Sequence, residues 1–234
     1  MIVGSRALTS QIPQNTCLRV GGTNIVPSSS LKNLGLCFDA HMTFDAHINH
    51  ISRKVFSTIV YINRMKNNFN CNSRIIVVQS LVLSIINFGI RIWGTANTTR
   101  LQQIQKLQNF AAKVALGGGA KHDRATPFIK ELGWLKVREK YKHELGIMMH
   151  NVMRGNVPSY LFPLPRVRDV RAVTTRQQDQ LYVPSTNTNT GARSMLVDEP
   201  KFWNSLPSEI RGSQSIRSFK SQLMSHLLNE QFNT

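Results

Sequence analysis

Acidic residues are scarce in this sequence, and their scarcity limits the chemistry that it can support. Twelve Asp and Glu stand against 29 Lys and Arg, which leaves a formal charge of +17 over 234 residues. A two-metal polymerase site needs carboxylates close together, commonly adjacent aspartates on a hairpin turn. Asp198 and Glu199 are the one adjacent acidic pair, and they lie in a stretch without periodicity. We therefore expect no catalytic residue, no metal and no cofactor in this chain.

Cysteine and long apolar runs are also sparse. The three cysteines, Cys17, Cys37 and Cys71, are too widely spaced for a CxxC pair and do not form a disulfide framework. No apolar run is long enough to span a bilayer, and the first residues lack the apolar core of a secretory signal. The pattern favours an intracellular chain without a membrane partner. The excess of positive charge favours nucleic acid, because each phosphate contact releases condensed counterions.

The hydrophobic pattern predicts a mainly α chain with a short N-terminal β-hairpin. Strands are expected at about 17–20 and 31–38, the second with Leu34, Leu36 and Phe38 on a buried face. A first helix is expected at 44–67, with an apolar stripe of Ile48, Ile51, Val55, Ile59, Ile62 and Met65. A second is expected at 75–93, apolar nearly all round and therefore buried, and a third runs from a cap at Thr98 or Thr99 to a C′ residue at Gly117.

A short helix with Pro127 at its first position and a helix at about 137–154 are expected to follow, and the helical body is expected to end near Tyr160. Residues 163–201 have prolines, a Thr/Asn tract and several arginines, which predicts an irregular basic linker. A final helix, capped near Ser213 or Ser215, is expected to dock on the bundle because it cannot be stable alone.

The duplicated stretch "FDAHMTFDAH" at residues 38–47 is the sequence feature that most resembles a reactive site. His47 and His50 lie three residues apart, so with Asp45 or His41 they are a candidate zinc site, although no thiolate is nearby. The structural alternative is favoured. In it Asp39 ends the strand, Thr43 caps the next helix, and Asp45 complements the positive helix terminus.

The basic residues give the strongest functional signal. For any one of them a solvated helix face is the more probable role, but the overall excess of cations indicates binding. All three tryptophans have apolar neighbours, so core packing is expected before base stacking. The candidate phosphate contacts on the first and third long helices are Arg53, Lys54, Arg64, Lys66, Lys106 and Lys113.

Several motifs in the same order resemble a known family. They are "SLKNLGLCFDAHMTFDAHI" at 30–48, "SLVLSIINFGIRIWGTANTTRLQQIQKLQNFAAKVALG" at 80–117, and downstream "ELGWLKVREK", "VPSYL" and "FWNSLPSEIRGSQSIRSFKSQLMSHL". Together they resemble the region after the palm in reverse transcriptases of non-LTR retrotransposons. The resemblance covers nearly the whole chain.

The resemblance implies an RNA-directed DNA polymerase that copies element RNA, primed at nicked chromosomal DNA in the nucleus. It assigns residues 1–40 to a palm remnant and a primer-grip-like hairpin that contains Lys32, a further nucleic-acid contact. Residues 41–120 become a three-helix thumb-like region, 121–162 post-thumb helices, 163–201 the linker and 202–234 a C-terminal docking segment.

The family's Phe-Ala-Asp-Asp-type motif does not occur in this sequence. The resemblance therefore implies a C-terminal fragment that binds template–primer RNA and DNA but is inactive alone. Mg²⁺ would belong to an intact parent polymerase, whose upstream palm is a possible partner. A domesticated module that binds nucleic acid or protein, and a pseudogene product, remain the alternatives.

Overall fold

The computed structural model describes residues 1–13, 15–118, 123–158, 164–170 and 178–233. The chain forms two compact units, Met1–Leu132 and Gly133–Thr234. It is mainly helical, with small antiparallel hairpins near the N terminus, which confirms the predicted fold class. The finer division into five segments stays a prediction. No helix in the described ranges is long and apolar enough to cross a membrane.

The N-terminal part of the first unit contains two hairpins, whereas the sequence predicted one. After a short helix α1 (Arg6–Thr9), strand β1 (Leu18–Val20) pairs with β2 (Thr23–Ile25), and β3 (Ser30–Asn33) pairs with β4 (Leu36–Asp39). The predicted strand 31–38 is therefore wrong, because the chain reverses at Leu34 and Gly35. Both residues have positive φ (47° and 85°), as a two-residue hairpin turn of the primed type requires. Leu34 is 87% exposed at the turn, while Leu36 is buried.

Helix α2 (Asp45–Arg64) confirms the predicted apolar stripe. The residues of the stripe follow the 3.6-residue period of a helix, which places them on one face toward the core. The buried members are Ile48, Ile51, Val55, Ile59 and Ile62.

The prediction of one continuous buried helix at 75–93 is wrong. The segment contains α3 (Cys71–Val78), a π-helical turn (Gln79–Leu83), α4 (Ser84–Asn87) and α5 (Ile90–Trp93). Gly89 interrupts it with a left-handed φ of 63°, a conformation that side-chain-bearing residues rarely adopt. The segment also has apolar side chains that are 40–62% exposed: Ile76, Leu81, Phe88 and Ile92. Apolar composition alone revealed neither the break nor this exposure.

Helix α6 (Thr98–Ala115) packs against α2 and is followed by α7 (Thr126–Glu131). The N-cap of α6 is Asn97, one residue before the predicted positions, and its side chain accepts a hydrogen bond from the Arg100 amide (3.0 Å). Gly117 is the predicted C′ residue, with φ 90° and an amide that donates to the Val114 carbonyl (3.1 Å). This geometry satisfies carbonyls that the helix end would otherwise leave unpaired.

The second unit is built around α8 (Val137–Met153), α11 (Met195–Ser205) and α13 (Ile216–Asn233), with the short helices α9 (Val167–Val170), α10 (Asn189–Ala192) and α12 (Ser208–Arg211) between them. Helix α13 docks on α8, and the Ser215 hydroxyl accepts from the Ser218 amide (3.1 Å), as expected of the cap. The buried side chains between these helices include Tyr141, Leu145, Met149, Trp203, Phe219, Leu223 and Leu227.

The described parts of the predicted linker, residues 164–170 and 178–201, are more ordered than their composition indicated. Helix α11 begins inside this linker, and Asn204 Oδ1 accepts from the Leu181 amide (3.0 Å) while Asn204 Nδ2 donates to the Leu181 carbonyl (2.8 Å). A polar side chain of α11 thus pairs both backbone groups of Leu181, which also forms an isolated antiparallel bridge with Arg166. The expected end of the helical body near Tyr160, and residues 171–177 of the linker, lie outside the described residues.

Candidate nucleic-acid interface

Asp39 organises the start of α2. Its carboxylate accepts from the backbone amides of His41 (3.1 Å), Thr43 (3.0 Å) and Phe44 (2.7 Å), and from the Thr43 hydroxyl (3.0 Å). Burial alone would raise the pKa of Asp39, but these hydrogen bonds outweigh it and hold the pKa below its ordinary value of 3.8. The ionised carboxylate therefore fixes the loop that delivers the chain to the helix.

The prediction that Thr43 caps α2 is wrong by one residue. Phe44 is the N-cap, in a left-handed conformation (φ 61°) and almost completely buried. Burial of the aromatic ring and the bond from the Phe44 amide to Asp39 hold this unusual backbone. Thr43 contributes a weaker contact, because its hydroxyl accepts from the Asp45 amide at 3.4 Å.

The histidines of the duplicated stretch have separate surroundings. His47 is 1% exposed and packs against Trp93 (6.4 Å between ring centroids), and burial, together with the charge of His50, lowers its pKa. His41 Nδ1 lies 3.1 Å from the Gly4 carbonyl. Among the described residues, no group of three or more His, Cys, Asp and Glu is placed to hold a metal ion.

Asp45, the second aspartate of the stretch, joins α2 to α6. Its Oδ1 accepts from Arg100 Nε at 2.7 Å, and this hydrogen bond raises the pKa of Arg100. One turn further along, Gln103 Nε2 donates to Ser52 Oγ (2.9 Å) and contacts Asn49 Oδ1 (3.4 Å). These contacts fix the register of the two helices at their N-terminal ends.

Beyond these contacts, α2 and α6 line a groove with a cavity volume of about 830 Å³. We call it the α2/α6 groove. Phe56 of α2 and Phe110 of α6 face each other in it, with ring centroids 6.4 Å apart and planes tilted by 37°. Asn63 and Asn109 add amide groups to its lining.

Three of the seven predicted basic contacts line this groove: Lys66, which follows α2, and Lys106 and Lys113 of α6. Lys106 and Lys113 are a heptad apart, so they share a face of α6 at about 10 Å spacing. One carboxylate, Asp123, also lines the groove. Within the described ranges, Lys66 and Lys106 have no carboxylate at ion-pair distance. The lining is therefore net positive.

The other predicted contacts lie outside the lining of the groove. Arg53, Lys54 and Arg64 are exposed on α2, and Lys32 is exposed on β3. The helical period places Arg53 and Arg64 within about 20° of each other, with Lys54 about 90° away from both. The structure thus gathers three of the seven residues and leaves four on the open surface.

The sequence did not single out the aromatic and amide members of the groove. Phe56 lies off the apolar stripe of α2, which was a signal that it does not belong to the core. The run "LQQIQKLQNF" at 101–110 has many amides and contains both Lys106 and Phe110. Which of these residues meet α2 depends on the crossing of two helices, which the period of either helix alone does not give.

Arg74 lies near the C-terminal end of α6 and has a structural role. Arg74 Nε donates to the Ala115 carbonyl at 2.9 Å, and Arg74 Nη1 lies 3.3 Å from the Lys66 carbonyl. Its charge stabilises the negative C-terminal end of the helix dipole. The contacts explain why Arg74 is not a candidate for phosphate.

Comparison with known proteins finds similarity to one transposon enzyme. A Drosophila melanogaster protein described as "Probable RNA-directed DNA polymerase from transposon BS" is 25% identical over 131 residues, which are 55% of this chain and 14% of that protein. No family model matches the chain, and no solved structure matches it. The chain thus spans about one seventh of the relative's length. This similarity supports a distant relationship to a reverse transcriptase.

Proposed function

We propose that this chain is the nucleic-acid-binding, thumb-like and post-thumb part of an RNA-directed DNA polymerase from a non-LTR retrotransposon. In this proposal the α2/α6 groove holds the backbone of the template–primer. The distant similarity to a transposon polymerase and the net charge of +17 support it.

The observation that carries the proposal is the convergence of Lys66, Lys106 and Lys113 on one groove. Each phosphate that a cation neutralises releases condensed counterions, and lysines that line one groove can contact the same strand together. Helix α6 packs on α2, so the backbone positions of Lys106 and Lys113 are fixed before a ligand arrives. Less conformational entropy is then lost on binding.

The chain alone is proposed to bind without polymerising. RNA-templated DNA synthesis uses metal-bound carboxylates, and we assign these and their Mg²⁺ to the palm of a parent polymerase. The nucleus is the compartment in which such a parent would act. Primer extension with the purified chain tests this part of the proposal, since synthesis on an RNA template would refute it.

Salt dependence of binding tests the groove itself. Fluorescence anisotropy of a labelled RNA–DNA duplex is measured over a tenfold range of salt for the wild-type chain and for K66Q/K106Q. Loss of two phosphate contacts should reduce the slope of log K against log salt by about 2. The matched control is K201Q/K220Q, which removes two exposed lysines of the second unit. Equal losses in both variants would contradict the assignment to the groove.

A protein-binding module is the second candidate function. It is favoured by the exposed apolar side chains of the segment 76–92, since exposed apolar surface of this kind is typical of interaction sites. A folded wild-type chain whose binding to the duplex shows no salt dependence would favour this candidate over the first.

A further inference from the structure

The α2/α6 groove contains an aromatic ring that the core does not use. Phe56 is 53% exposed, although a buried phenylalanine contributes far more to stability than an exposed one. Its one ring contact among the described residues is Phe110 across the groove. The ring of Phe56 is therefore open to a flat apolar ligand.

The surroundings of this ring match the parts of a nucleotide. Lys66 and Lys106 supply positive charge for phosphates on either side. Asn63 and Asn109 carry amide groups that can bind the edge of a base, although Asn109 Oδ1 already accepts from Gln105 Nε2 (2.8 Å). A cavity of about 830 Å³ is within the range that holds a small organic ligand.

A base can stack on Phe56 only if one of its faces is free. Inside a duplex, neighbouring base pairs cover both faces of each base, so a helix offers the groove only phosphates. A single strand or an overhang exposes faces, and stacking on aromatic side chains is how many proteins bind such strands.

We propose that the α2/α6 groove binds an unpaired nucleotide of RNA or DNA, with its base stacked on Phe56 beside Phe110 and its flanking phosphates on the lysines. This inference rests on the proposed nucleic-acid binding and adds a preference to it. The groove favours a strand end or overhang over a continuous duplex. Phe56 is then a specificity-determining residue, and the lysines supply affinity for any strand.

The test compares three labelled ligands by anisotropy: a blunt RNA–DNA duplex, the same duplex with an overhang, and the overhang strand alone as RNA or as DNA. The wild-type chain should bind the overhang ligand about fivefold or more tightly than the blunt one. F56L should lose this preference, because leucine keeps apolar bulk without a π-face. F56Y keeps the ring and should retain the preference. RNA and DNA overhangs measured side by side show which strand the site prefers.

The matched control is Y61L. Tyr61 is 63% exposed on the same helix but lies about 140° around it from Phe56, outside the groove lining. Y61L should leave the overhang preference unchanged. An equal loss in Y61L and F56L would overturn the assignment to Phe56.

A second measurement uses the wild-type chain alone, so it does not depend on how well a variant folds. An overhang that carries 2-aminopurine reports stacking directly through its fluorescence. Emission that changes on binding at one overhang position supports the inference. Binding of the overhang without any change in 2-aminopurine emission overturns the stacking inference, while phosphate binding by the lysines still stands. Failure to bind any of the ligands would refute the proposed function as well.

Discussion

Replacing Asp39 with alanine should destabilise the first unit more than its half-buried position at the end of β4 indicates. The variant removes the acceptor of four hydrogen bonds, the shortest of them 2.7 Å from the Phe44 amide. Losing a capping acceptor costs about 0.5–2 kcal/mol, and bonds to a charged group contribute more than neutral ones. Since the loop is only half-buried, water replaces part of the loss. We expect the free energy of unfolding to fall by about 2–3 kcal/mol.

Trp93 provides the assay, because it is the only tryptophan of the first unit and is fully buried. Its emission is followed during urea unfolding in a background in which Trp134 and Trp203 are replaced by phenylalanine. The midpoint for Asp39→Ala should move to lower urea with an unchanged slope. Asp45→Ala, in the second copy of the same sequence motif, is the matched control. It removes one partly exposed ion pair, so its loss should be smaller.

The pH dependence checks the same reasoning. The folded-state pKa of Asp39 is lowered, so its contribution is present above the ordinary value of 3.8 and is lost as the pH falls through the folded-state pKa. The difference in stability between the wild-type chain and Asp39→Asn should therefore be largest near neutral pH and shrink in acid. Equal effects of Asp39→Ala and Asp45→Ala, or a difference that grows in acid, would refute the reasoning.

Two further variants test other parts of the fold. In the second unit, hydrogen bonds to His143 and then to Lys140 lower the pKa of Glu144 to about 2, although burial opposes this shift. Glu144→Gln should therefore lower the free energy of unfolding by about 1–2 kcal/mol above pH 4.5 and by progressively less toward pH 2. Urea unfolding at several pH values measures the difference. In the first unit, Gly89→Ala should cost about 2 kcal/mol or more, because φ is +63° and a Cβ atom would lie 2.7 Å from Leu36 Cδ2; an unchanged melting temperature would contradict this.

The helices that follow one strong period were predictable from sequence. In α2, apolar residues at spacings of three and four left a single possible buried face, and the structure buries five of the six predicted side chains. Gly117 was equally clear, since a glycine directly after the last apolar position is typical of a left-handed C′ residue. In both cases the information lies within a few residues of the chain.

The predictions that failed depend on backbone conformations and contacts that a hydrophobic period does not encode. Leu34 has positive φ in a tight turn, where the usual sequence preference is for Asn or Gly, so the local alternation indicated a strand instead. Phe44 is a left-handed N-cap because the Asp39 carboxylate and a buried ring site hold it there. The groove could not be predicted either, since Phe56 and Phe110 are 54 positions apart in the chain and meet only through the packing of α2 on α6.

The contacts of its two aspartates show what the duplicated FDAH stretch does. Its first aspartate holds the loop that starts α2, and its second holds Arg100 at the start of α6. Phe56 lies eleven residues beyond Asp45, about 16 Å along the same rigid helix. Asp39 and Asp45 thus stabilise the N-terminal end of the same helix that carries Phe56 into the α2/α6 groove.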